Sequence, residues 1–78
     1  MTTSFYSAAA GYTHRQNIPS DSWNIAHNMN VKPTVQVYVI REGYSEYERI
    51  MPKEIQIVDD NHVRILFSIP MIGKAILI

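Results

Sequence analysis

The chain contains no cysteine, so no disulfide framework can brace it and a thiolate-held structural zinc is excluded. Glycine is scarce, three residues among 78, and none belongs to the kind of cluster that cradles a phosphate. An excess of charge is also missing. Seven basic side chains balance seven acidic ones, which gives no electrostatic case for nucleic acid or an anionic membrane as partner. No apolar run approaches the roughly 20 residues of a membrane-spanning helix, and no charged N-terminal region leads into an apolar stretch. Membrane insertion is therefore not expected.

A chain of this length makes one domain, near the size at which a single core only just offsets the entropy lost on folding. With disulfides and metal removed from the list of supports, stability is expected to come from oligomerisation or docking. A contact of ordinary size, on the order of 800 Å² per partner, would suffice.

What is present reads as strands and turns. Residues 1–11 form an arm of small and polar residues interrupted by the ring pair Phe5-Tyr6. From Tyr12 onward, short segments of period two are broken by Pro, Gly, Asn and Asp. Trp23, Ile25 and His27 share one face. Pro33 stands at the head of a strand over 34–40, where its missing amide donor does least harm, and Val35, Val37 and Val39 point one way. A strand over 54–58 puts Ile55 and Ile57 together. Asp59-Asp60-Asn61 supplies turn-forming side chains, and the next strand, 62–68, aligns Val63, Ile65 and Phe67. Pro70 to Gly73 is expected to turn the chain into a closing strand over 74–78. Tyr12 to Gln16 adds a sixth strand at an edge. Between Glu42 and Met51 the spacing of Tyr44, Tyr47 and Ile50 or Met51 predicts a short amphipathic turn of helix. The expected fold is all-β, a small antiparallel β-sandwich or flattened barrel of five to six strands spanning 12–78 behind an extended N-terminal arm. Its core candidates are Trp23, Ile25, Val35, Val37, Val39, Ile55, Ile57, Val63, Ile65, Phe67, Ala75 and Leu77.

Several separated motifs occur in a characteristic order: Tyr12-Thr13-His14-Arg15-Gln16, then Pro19-Ser20 through Trp23 and Ile25 to His27-Asn28, the strand led by Pro33, Asp59-Asp60-Asn61, and Phe67-Ser68-Ile69-Pro70 through Gly73, Ala75 and Leu77. The order resembles the small terminal β-domain of bacteriophage tail-fibre and related virion structural proteins, which reads YTHxQ, PSxxWxIxHN, a Pro-led strand, a D-(D/N)-N turn and FSxPxxGxAxL. The resemblance covers Tyr12 to Ile78. It implies a structural protein of the virion, made in the host cytoplasm and assembled into the particle. Modules of this kind usually carry a shorter loop where this chain has Glu42 to Met51. They also usually end a long fibre polypeptide, whereas here little precedes the module, so a surface-attached accessory subunit is the expected form.

Chemistry-bearing residues are few. His14 and His27 match motif positions, but no nucleophile or clustered carboxylate stands at triad or ligand spacing. His27 shares the face of Trp23 and Ile25 and is expected to be a packed histidine bonded to backbone; His62 is expected in solvent. Asp59 and Asp60 are adjacent, which splays them on a strand or turns them to backbone amides, and neither arrangement gives the facing carboxyl pair of a glycosidase. No enzymatic activity, catalytic residue, metal or cofactor is expected.

The expected function is therefore binding to other virion proteins, as capsid decoration or as an accessory subunit of the tail or adsorption apparatus, with a homo-oligomer, by analogy a trimer, as the assembled form. The interface candidates are Phe5 and Tyr6 in the arm, Tyr44 and Tyr47 in the long loop, and Ile76 and Ile78, which with Leu77 between them put apolar side chains on both faces of the last strand and would make a sticky edge if uncovered. The rival reading is a receptor-binding module for host polysaccharide or protein, with Tyr44, Tyr47 and Trp23 as contacts.

Overall fold

A computed structural model describes residues 11–78. The arm candidates Phe5 and Tyr6 lie outside the described residues. The described chain is all-β, with five strands: β1 (Tyr12–Ala26), β2 (Val35–Ile40), β3 (Tyr47–Ile50), β4 (Glu54–Asp59) and β5 (His62–Leu77). All pairings are antiparallel within one sheet, in the order β1-β5-β2-β3, with β4 also paired to β5.

The organising element is β5. Its first half pairs with the end of β1 (Trp23 opposite Ile65) and with β4 (Ile55 opposite Ile65). Its second half pairs with the start of β1 (His14 opposite Ala75) and with β2 (Val37 opposite Ala75), and β3 adds beyond β2. The register breaks between the halves, on both sides of Ser20 opposite Met71. Nine buried side chains drawn from both halves, Trp23, Ile25, Val37, Val39, Val63, Ile65, Phe67, Ala75 and Leu77, form one continuous cluster. A single sheet, bent where its register breaks, thus encloses its own core.

Several expectations are corrected. Pro70 to Gly73 does not end a strand; the chain runs on through it, and Tyr12 to Gln16 is likewise continuous with the Trp23 segment, so the expected edge strand is the first part of β1. The prolines lie in the register break, where the ladder is already interrupted and a missing donor is tolerated. The Glu42 to Met51 segment contains no helix. Its last part is β3, with Ile50 half-buried against the core and Tyr47 and Arg49 turned the other way. The strand Lys74 to Ile78 is central, flanked by β1 and β2, and Thr34 and Ile78 exchange two further backbone hydrogen bonds of 2.8 and 2.9 Å. It offers no edge. Among the core candidates, Val35 and Ile55 pack at the cluster's margin, whereas Ile57 is 38% exposed because β4 lies at the sheet's border.

Gly73 permits the close approach of β5 to β2. A β-carbon there would overlap the Tyr38 carbonyl oxygen and come within 2.7 Å of Val39 Cα. Only glycine fits that point of the ladder.

Candidate interface surfaces

The motif residues build the bend and the hairpin beside it. Trp23 is fully buried, and its indole N–H donates to two carbonyls, Ser20 at 3.1 Å and Met71 at 3.2 Å. One side chain therefore ties both strands where their pairing is broken, and its ring packs on Phe67 with centroids 4.6 Å apart. His14 and Gln16 share a face at spacing two. The Gln16 amide nitrogen donates to the Ile18 carbonyl at 2.8 Å, so its oxygen is the acceptor for His14 Nε2–H at 2.8 Å. The His14 ring in turn lies 5.9 Å from that of Trp23.

At the other end, Asp59 accepts from the Asn61 amide at 2.8 Å and meets His62 Nδ1 at 2.8 Å. The Asn61 amide first and the imidazole second hold the Asp59 carboxyl below its ordinary range. Asn61 accepts from His27 N (2.9 Å) and Asn28 N (3.4 Å) through its carbonyl and from Asn30 N (2.8 Å) through its side chain, fixing a loop in which Asn28 and Asn30 adopt positive φ. His27 is packed and backbone-bonded, as expected: its Nδ1 accepts from Met29 N at 3.1 Å, so the proton sits on Nε2, which is buried and without a partner.

Among the described residues no three His, Asp or Glu side chains gather to hold a metal ion. His14, His27 and His62 each have a structural partner instead.

The expected interface residues do not converge on one patch. Tyr44, 70% exposed, lies in the β2–β3 loop and borders an open groove of about 800 Å³ that reaches Ile40, Pro19, Ile69 and Pro70 at the bend. Ile18, next to Pro19, is 75% exposed and Ile69 is 61% exposed. Tyr44 also shares a second recess, of about 470 Å³, with Tyr47, Arg41, Glu46 and Glu48. Tyr47 and Ile76 lie on the outward face of the sheet, opposite Ile40 and Gln36 respectively. Ile78 is exposed beyond the end of β5. Trp23, a receptor contact in the rival reading, is inside and cannot touch a ligand. Sequence reasoning passed over Ile18 and Ile69. The signal for them was two isoleucines each followed by a proline, Ile18-Pro19 and Ile69-Pro70, where the strand alternation is interrupted.

Compared with protein-family models, curated proteins and solved structures, the chain matches none.

Proposed function

We propose that this protein is a non-enzymatic structural subunit of a bacteriophage virion that binds other virion proteins, as capsid decoration or as an accessory of the tail or adsorption apparatus. The observation that carries the binding reading is the apolar bend: Pro19, Ile40, Ile69, Pro70 and Tyr44 stand around one groove, open to solvent, and Ile18 is exposed next to Pro19. Contiguous exposed apolar surface rimmed by polar residues is the mark of a contact surface, because covering it removes the unfavourable hydration of those side chains. The bend is held from behind by Trp23 and its two carbonyl partners, so the surface is pre-shaped and little entropy is lost in ordering it on binding. The virion assignment rests on the resemblance of the ordered motifs.

The test is incorporation. Ile69→Lys, at an exposed position, is expected to leave the unfolding midpoint unchanged while reducing co-purification of the protein with phage particles at least tenfold. Undiminished incorporation would remove the bend from the contact. A stable monomer with no affinity for any capsid or tail assembly would overturn the proposal as a whole.

A further inference from the structure

The outward face of the second half-sheet carries a feature that register alone creates. Arg15 on β1 is directly opposite Lys74 on β5, Lys74 is opposite Tyr38 on β2, and Tyr38 is opposite Arg49 on β3. Three cations and a tyrosine therefore lie in one row across four strands, and none of the paired positions on that face carries a carboxylate. The nearest carboxylates along the chain, Glu46 and Glu48, line the recess at the β2–β3 end, and Glu48 is paired with Arg41. The Lys74 ammonium lies 4.5 Å from the centre of the Tyr47 ring and 5.7 Å from that of Tyr38, which fixes the charge among aromatic plates.

Like charges directly opposite on a sheet are destabilising, so the Arg15–Lys74 pair gives the isolated domain nothing. It becomes favourable when an anion bridges it. From these residues we propose that the row is a binding site for a carboxylate- or sulfate-bearing polysaccharide, distinct from the apolar bend. Strands repeat at about 4.8 Å, a spacing close to the length of one pyranose ring, so an extended sugar chain laid across the strands meets a cation or a ring at each step. Tyr38 and Tyr47 offer plates for the apolar sugar faces, and Arg15, Lys74 and Arg49 hold the acid groups. Nucleic acid is a poorer fit: its charge is denser and its affinity depends on an excess of positive charge, whereas this chain is neutral.

The full chain would be tested against immobilised oligogalacturonate, hyaluronan and heparan oligosaccharides, with neutral dextran and an oligothymidylate as comparisons. Retention of at least one acidic glycan, weakened by salt and absent for dextran and oligothymidylate, is expected. Arg15→Gln should weaken it roughly tenfold while leaving the unfolding midpoint unchanged or raised, since a repulsive pair is removed. Tyr47→Ala should weaken binding with its salt dependence intact, and Lys53→Gln, outside the row, should have no effect. No retention of any of the three glycans, equal retention of oligothymidylate, or an equal loss with Lys53→Gln would overturn the proposal. A fall in stability for Arg15→Gln would do the same by giving the row a structural purpose.

Discussion

Gly73→Ala is the sharpest test of the architecture. The added methyl would overlap the Tyr38 carbonyl oxygen and approach Val39 Cα to 2.7 Å. Both are backbone atoms of the partner strand, so no side-chain rotation relieves the clash. β2 and β5 must separate locally, which strains or breaks the ladder where Val39 meets Gly73 and loosens Val39 and Ala75, both fully buried. Overpacking of this kind costs about 1 to 3 kcal/mol, and each ladder hydrogen bond lost adds about 1 kcal/mol. The sum is roughly 3 to 5 kcal/mol, against about 4 to 12 kcal/mol for the whole stability of a 78-residue chain. Gly43→Ala is the matched control. Gly43 has φ 85° but open space around it, so alanine there should cost only about 1 to 2 kcal/mol, the left-handed penalty alone. With a urea slope of about 1 kcal/mol per molar, Gly73→Ala should lower the midpoint by roughly 3 to 5 M or prevent folding, and Gly43→Ala by about 1 to 2 M. The single buried tryptophan reports the transition by its fluorescence. Equal midpoints for the two variants would refute the close β2–β5 approach and the register built on it.

Three more outcomes are expected. Trp23→Phe keeps most of the ring but removes the N–H that ties Ser20 to Met71; a loss of about 2 kcal/mol in urea unfolding followed by circular dichroism is expected, and no loss would mean the bend does not depend on that tie. Asn61→Ala removes the acceptor for Asn30 N and should cost about 1 kcal/mol, with faster amide exchange at Asn30 as its local signature. Asp59 has its carboxyl held low by the Asn61 amide and His62, so its contribution is present above the ordinary carboxylate range and lost as pH falls through the depressed value. A stability–pH profile of Asp59→Asn should lack that acid-side decline; an unchanged profile would show that the turn carboxylate is not coupled to folding.

The faces of individual strands were legible because alternation is local: Val37 and Val39, Val63 to Phe67, and Trp23 with Ile25 and His27 all point inward as their spacing requires. Continuity across the bend was not. Pro19, Pro70 and Gly73 read as terminators, and what they permit, a strand that breaks register and continues, depends on a partner strand making the same bend from the other side. Tyr44, Tyr47 and Ile50 are compatible with a helical period over so short a window, and β2 as a template decided for strand. The proposed binding surfaces were half visible. Tyr44 and Tyr47 could be picked out by type, but Arg15, Arg49 and Lys74 are far apart in the chain and acquire a common row only through pairing, while Phe5 and Tyr6 lie outside the described residues.

β1, β2 and β4 each draw their partner hydrogen bonds from β5, and β3 reaches it only through β2. The keystone thus follows, in the order of synthesis, the four strands that it joins. Before it arrives, the earlier segments have one small hairpin, β2 with β3, to form among themselves, and an isolated hairpin is marginal in water. Acquisition of structure should therefore be a single late event, dominated by contacts distant along the chain and correspondingly slow, on the millisecond-to-second scale. Until then, the alternating valines and isoleucines stay open to chaperones and to neighbouring copies.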